Sequence, residues 1–239
     1  MDQVAKNLLA ARVARDIPNG SYVNLGIGLP TLVANHLPRH REVILHSENG
    51  VLGQWSAAEP GQEDWDLINA GKEPIRVEKG AAFFHHADAF GMMRGGHLDI
   101  CVLGAFQISE RGDLANWHTG APDAIPAVGG AMDLAIGARR VFVMMDHMTK
   151  DGASKLRRKC NYPLTGLACV SRVYTELGTF EIGPQGVAVI EIIGDMSPQA
   201  LQSVTDVELD FTTLRRPSLP SPSMKTRPNL VCTKAPASH

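Results

Sequence analysis

Apolar residues recur along most of the chain as short, dense runs separated by polar or glycine-bearing breaks. Residues 3–16 set Val4, Leu8, Leu9 and Val13 on one helical face. Asp2 stands where it can cap the start, and Arg12 and Arg15 lie near the negative C-terminal end, which predicts an amphipathic helix. Pro18-Asn19-Gly20 ends it. Strands are predicted at Tyr22-Val23-Asn24-Leu25, Val43-Ile44-Leu45, Ile75-Arg76-Val77, 98–103, 141–145 and 187–193. Several are apolar almost throughout, as a strand covered on both faces of an α/β sheet requires. Helices are predicted at about 31–36, 86–94 and 198–204. The alternation reads as an α/β protein with one extended sheet and a single domain over about 1–215. From Arg216 the composition turns to Pro217, Pro220, Pro222, Pro228 and Pro236 among Ser and Lys, which predicts a flexible or extended tail over 216–239.

The 239 residues carry 23 Lys+Arg against 25 Asp+Glu, and aromatics make up 5%. Such a balance gathers no polyanion and offers few rings for base stacking, which speaks against nucleic acid as a partner. No window approaches the roughly 18 uninterrupted apolar residues of a membrane helix. Met1-Asp2-Gln3-Val4-Ala5-Lys6 lacks the apolar core of a signal peptide, so a cytoplasmic protein is expected. Cys101, Cys160, Cys169 and Cys232 form no CxxC pair, and neither a zinc knuckle nor a disulfide framework is indicated.

Glycines cluster at Gly26/Gly28, Gly50/Gly53, Gly95/Gly96 and Gly129/Gly130, with Gly104 alone, several of them just after an apolar run. They are either tight turns or places where backbone N–H groups can be aimed at an anion beyond the carboxyl ends of strands. The segment 24–31 lacks the third glycine of a dinucleotide fingerprint, because Thr31 stands there and Pro30 sits where the helix begins. What survives is a strand, a glycine turn and a helix N-terminus with Pro in its first turn.

Strand Val43-Ile44-Leu45 runs into His46-Ser47-Glu48-Asn49-Gly50. Three readings stay open for Glu48: a solvated loop acid, a general base, or a nucleophile in covalent catalysis. Ser47 suggests a hydrolase, but no GxSxG elbow occurs in the chain.

Ser47-Glu48-Asn49-Gly50 after an apolar strand resembles the active-site motif of the class I CoA-transferases, and in particular of the B (β) subunit of the 3-oxoacid CoA-transferases. The resemblance continues through Asn24-Leu25-Gly26-Ile27-Gly28-Leu29-Pro30, Asp66-Leu67-Ile68-Asn69-Ala70-Gly71-Lys72-Glu73 and Met93-Arg94-Gly95-Gly96-His97. Leu103-Gly104-Ala105-Phe106-Gln107, Gly112-Asp113-Leu114-Ala115-Asn116-Trp117, Gly129-Gly130-Ala131-Met132-Asp133-Leu134, Tyr162-Pro163-Leu164-Thr165-Gly166 and Thr175-Glu176 follow in the family's order. Class II relatives, including the glutaconate type, use an equivalent Glu without the glycine pattern at 24–30, so class I is the better match.

The resemblance implies a CoA-transferase-like α/β fold, a layered domain with a mixed, largely parallel sheet. It implies a ping-pong reaction in which Glu48 takes the acyl group as an anhydride and then CoA as a glutamyl thioester. Backbone N–H groups of Asn24 and Gly130 are the implied oxyanion donors. Implied CoA contacts are Val23, Asn24, Leu25, Gly26, Ile27, Gly130, Ala131 and Lys150. No metal and no tightly bound cofactor are expected, and CoA is carried as a substrate. Family enzymes have two homologous halves, and this chain resembles the half with the nucleophile. A separate A subunit is therefore the implied partner, in a heterodimer or an α2β2 assembly, with no activity for this chain alone. Transfer from succinyl-CoA to acetoacetate (ketone-body use) and to 3-oxoadipate (aromatic catabolism) are both compatible. Two other readings are a CoA-thioester hydrolase on the same scaffold and a noncatalytic regulatory subunit of a CoA-transferase complex.

Other features read more plainly. His85-His86 with Asp88 and Asp146-His147 lack the further ligands of a metal site. Lys155-Leu156-Arg157-Arg158-Lys159 reads first as a solvated helix face and second as a CoA-phosphate or subunit contact, and the Met92-Met93 and Met144-Met145 pairs read as core. Arg94-Gly95-Gly96 reads as a turn whose Arg is able to hold a substrate carboxylate.

Overall fold

The Asp2 carboxylate accepts from the Ala5 N–H at 2.8 Å and starts α1 (Gln3–Asp16), as its cap position predicts. The computed structural model describes residues 1–214, apart from 122, 124 and 127. After α1 come β1 (Tyr22–Leu25), a 3₁₀ helix (Leu29–His36), β2 (Ile44–Ser47), β3 (Val51–Ala57) and β4 (Ile75–Phe83). Then follow α2 (His86–Arg94), β5 (Ile100–Gly104), β6 (Gln107–Ser109), β7 (Leu114–Ala115), α3 (Ala131–Gly137) and β8 (Arg140–Met144). The remaining elements are β9 (Leu156–Arg157), β10 (Val170–Tyr174), β11 (Gly178–Gly183), β12 (Gly186–Ile192), α4 (Pro198–Ser203) and β13 (Leu209–Asp210).

Ten strands form one sheet in the order β13-β12-β11-β10-β8-β5-β1-β2-β3-β4. The run β10-β8-β5-β1-β2 is parallel, and antiparallel pairs flank it on both sides. The sheet is thus mixed with a parallel centre. The strands β7, β6 and β9 make a separate small sheet.

Alternation along the central strands divides the core in two. Cys101, Leu103, Val141 and Val143 turn to one face, against Met93 of α2 and Leu134 of α3. Ile100, Val102, Phe142 and Met144 turn to the other, with Leu9 and Val13 of α1 and Val33 of the 3₁₀ helix. Burial on both faces is why these strands read as unbroken apolar runs.

β1 leads to β2 on one side, whereas β5 lies on its other side. At such a switch point the connections leave the carboxyl ends of neighbouring strands in opposite directions and open a crevice.

Several expectations need correction. α1 buries Leu9, Ala10, Val13 and Ala14, while Val4 and Leu8 are 68% and 63% exposed, so these last two do not share the packed face. The segment 31–36 belongs to a 3₁₀ rather than an α-helix. Lys155–Lys159 is not a helix face: Leu156 and Arg157 form β9, and Leu156 is fully buried. Asp146-His147 needs no correction: it lies in the loop beyond β8, where His147 is buried with its ring nitrogens against Thr205 Oγ1 at 2.9 Å and Thr175 Oγ1 at 3.3 Å. Burial pushes its imidazole down to about 4. The Pro/Ser tail over 216–239 and the domain boundary before it lie outside the described residues. No helix among the described residues is long and apolar enough to cross a membrane.

Candidate active site

The hairpin between β2 and β3 carries the site. Ser47 pairs with Val51, leaving Glu48, Asn49 and Gly50 as a three-residue loop. The Gly50 N–H closes it onto the Ser47 carbonyl at 3.0 Å. Gly50 has φ +104, and a Cβ there would collide with the backbone carbonyl oxygen of Phe84. Phe84 in turn donates its N–H to the Gly50 carbonyl at 3.0 Å, which docks the loop on the segment leading into α2. A Gly50→Ala substitution is therefore expected to cost about 1–3 kcal/mol. For a domain of this size that is a Tm drop of roughly 2–4 °C per kcal/mol. Thermal melting checks this, and an unchanged Tm contradicts it.

The other motif residues hold the loop from the opposite side. Ser47 Oγ donates to Asn49 Oδ1 at 2.5 Å and accepts from the Ala70 N–H at 3.2 Å. Asn49 Nδ2 donates to the Ile68 carbonyl at 2.8 Å. With both polar neighbours engaged, Glu48 projects from the turn, and among the described residues its carboxylate accepts no hydrogen bond. The Ser47 hydroxyl is thus part of the scaffold.

The Glu48 carboxylate lies against Gly130, the cap residue of α3, and a Cβ on Gly130 would overlap Oε2. The same point is 3.3 Å from Phe90 Cζ. His86, Phe90 and Arg94 form an i, i+4, i+8 stripe on α2. The His86 ring packs on Phe90 at 4.7 Å, and Arg94 stands 5.5 Å from the Phe90 centroid while pairing with Asp133 of α3 at 2.7 Å. Desolvation raises the Glu48 carboxyl above its ordinary range, His86 opposes that shift, and Asp133 adds to it.

Glu48 opens into a cavity of about 530 Å³ beyond the carboxyl ends of β1, β5 and β8, its wall including Gly26, Gly104, Gly130, Met145 and Lys155. Of the anticipated contact residues, Asn24, Leu25, Gly26, Ile27, Gly130 and Ala131 line it. Val23 is fully buried in the α1-side core instead. Lys150 is exposed in the turn after β8 and does not line the cavity; Lys155 does, 3.9 Å from Asp146.

Asn24 faces His46 in β2 and Cys101 in β5. Backbone N–H groups of a strand paired on both sides lie in the sheet plane and point at neighbouring strands. The Asn24 side-chain amide also faces His46, at 3.0 Å from Nδ1 and 3.2 Å from the carbonyl. Burial pushes the His46 imidazole down to about 4, which keeps it neutral near pH 7. Asn24 therefore buttresses the strand under the hairpin, and its backbone N–H is not directed at the cavity. Gly130, at the loop end of α3, is free of that constraint.

Sequence reasoning misses His86 and Asp133 as neighbours of the site, and reaches Lys155 only through the second reading of its basic run. The His86-Phe90-Arg94 spacing on a predicted helix is the available signal. Among the described residues no group of three or more His, Cys, Asp or Glu is arranged to hold a metal ion.

A carboxylate held at a fixed turn beside a cavity is equipped for covalent attack on a carbonyl. Residues 6–195 match the family model described as Coenzyme A transferase. The chain belongs to the coenzyme A transferase family. It is 62% identical over 207 residues to the B subunit of 3-oxoadipate CoA-transferase from Pseudomonas putida, covering 87% of this chain and 97% of that protein. It is 43% identical over 205 residues to the B subunit of succinyl-CoA:3-ketoacid coenzyme A transferase from Helicobacter pylori, covering 86% and 98%.

Among solved structures it is similar to an acyl-CoA transferase of Escherichia coli O157:H7, with a TM-score of 0.69 at 18% identity. That match covers 90% of this chain but 44% of the other, so the chain spans less than half of that protein. The decarboxylase AibA/AibB gives a TM-score of 0.65 at 20% identity, covering 92% of this chain and 91% of the other. One fold thus hosts more than one reaction, and the family assignment rests on the sequence match.

Proposed function

We propose that this chain is the nucleophile-bearing B-type subunit of a 3-oxoacid CoA-transferase that moves CoA from succinyl-CoA to a 3-oxo acid, with 3-oxoadipate preferred to acetoacetate. The observation that carries it is Glu48, desolvated, without a hydrogen bond among the described residues and facing the cavity, on a turn whose other side chains hold it still. The higher identity to relatives named for 3-oxoadipate supports that acid as acceptor.

In the first half-reaction a Glu48 oxygen bonds to the thioester carbon of succinyl-CoA and the C–S bond breaks, releasing CoA thiolate and leaving a mixed anhydride. The thiolate attacks the Glu48 carbonyl carbon, the C–O bond to succinate breaks, and glutamyl-CoA remains. An acceptor carboxylate then attacks the glutamyl thioester and expels the thiolate. That thiolate finally attacks the acceptor's acyl carbon and frees Glu48. No net proton is consumed, because a carboxylate is exchanged for a carboxylate over each half-reaction.

Each attack builds charge on a carbonyl oxygen, and the N–H groups of the glycine turn before α3 are the donors this chain offers. Lys155, on the cavity wall, is the better partner than Lys150 for a CoA phosphate. The relatives' designation as B subunits supports a separate A-type partner, and an α2β2 assembly is the proposed form.

Mass spectrometry of the two-subunit complex incubated with succinyl-CoA tests the reading. A CoA-sized adduct on the peptide containing Glu48, discharged by 3-oxoadipate to 3-oxoadipyl-CoA, is expected. Release of free CoA at the same rate with and without the acceptor would instead identify a hydrolase.

A further inference from the structure

The nucleophile has a neighbour that the reaction scheme leaves unused. His86 opens α2 at the rim outside the cavity lining and packs on Phe90. Phe90 Cζ and Glu48 Oε2 both crowd Gly130, and His86 is close enough to act on the Glu48 charge. Its ring is exposed and makes no hydrogen bond among the described residues. The arginine of the stripe, Arg94, is already paired with Asp133 at 2.7 Å. His85 accepts from the Ala87 N–H through Nδ1 at 3.1 Å, which leaves its remaining ring nitrogen as the one to carry a proton. Beside Glu48, then, the stripe offers one basic side chain that no hydrogen bond or ion pair among the described residues engages.

The acids of the proposed reaction share a feature that acetoacetate lacks. Succinate and 3-oxoadipate each keep a second carboxylate when the first is bonded to Glu48 or to CoA. A second carboxylate that reaches an N–H beside Glu48 gains a directed, charge-assisted bond that an acid without one does not make. An imidazole supplies an N–H whether neutral or protonated, and a full charge-assisted bond when protonated.

We propose that His86 is a specificity-determining residue that receives the distal carboxylate of dicarboxylic substrates while their other carboxyl group reacts at Glu48. The assignment rests on the transferase reading above and names the substrate class within it: acids with a second carboxylate rather than simple 3-oxo acids. Phe90 supports the ring from below, and Asp133 keeps Arg94 from competing for the same anion.

The test uses the assembled two-subunit enzyme with succinyl-CoA as donor and compares kcat/KM for 3-oxoadipate with that for acetoacetate. In His86→Ala the ratio is expected to fall about 10–100-fold, the loss of one charge-assisted bond, with most of the change in KM for 3-oxoadipate. His86→Arg, which keeps a donor and a charge, is expected to retain more of the preference than His86→Ala. An unchanged ratio, or equal losses for both acceptors, would overturn the proposal while leaving Glu48 as nucleophile intact. A parent enzyme that forms no Glu48 adduct would overturn the transferase reading itself, and the role of His86 with it.

Discussion

Glu48→Ala in the assembled enzyme is expected to abolish transfer, with turnover at least about 10⁴-fold below the parent, because the proposed covalent intermediate has no other carboxylate to form on. The fold is not the casualty. Burial raises the Glu48 carboxyl, so its ionised form is the one the folded chain disfavours. By linkage, the cost is absent at pH below the unfolded value of about 4.3 and grows as pH rises through the folded value. It is present in full near neutrality. Glu48→Gln is therefore expected to melt above the parent at pH 7 and together with it at about pH 3.5. A turnover assay and two melting curves check both halves, and an inactive Glu48→Gln that also melts lower at pH 7 would point to a structural role.

Gly130→Ala gives the second-largest loss, about 10²–10³-fold in kcat, for a different reason. Gly130 has φ −85, which alanine adopts without strain, so the substitution leaves the backbone at rest. Its Cβ occupies the space of Glu48 Oε2 and approaches Phe90 Cζ to 3.3 Å. The carboxylate must swing away from the cavity or from the donors before α3. Steady-state kinetics with circular dichroism distinguishes this from unfolding, and parental turnover in a folded variant would mean that the carboxylate reacts from another rotamer.

Glu48 is legible in the sequence because its turn is self-contained: four consecutive residues supply the proposed nucleophile, both braces and the positive φ. Its surroundings are not, because they come from distant segments. Gly130 is brought over by α3, a seven-residue helix that begins straight after a glycine pair, too short for a periodic signal. His86 arrives only because Gly50 docks on Phe84.

Strands β1, β2, β5 and β8 are plain in the sequence, since burial on both faces leaves dense apolar runs, whereas β10 is missed because Ser171 and Arg172 interrupt it. β3 and most of β4 are hidden because the flank of the sheet is partly solvated: Gly53 and Gln54 interrupt one, and Glu78, Lys79 and Gly80 the other. In α1 the packed face is half alanine, Ala10 and Ala14 beside Leu9 and Val13. A reading weighted toward large side chains therefore favours Val4 and Leu8, which stay in solvent. Charge misleads at Lys155–Lys159, where a two-residue strand pairs with β6 between basic neighbours.

The parallel centre of the sheet also governs how the chain reaches this state. β1 sits between β2 and β5, with Val23 opposite Ile100; β5 in turn waits for β8, and β8 for β10. Pairings so remote in sequence carry a loop-closure penalty before any contact repays it, which slows folding. During synthesis at about 5–20 residues per second, β1 emerges early but stays without its second neighbour, β5, for several seconds. The segment that builds the floor of the cavity beside Glu48 is thus among the first made, yet it is held on both edges only after β5 has followed.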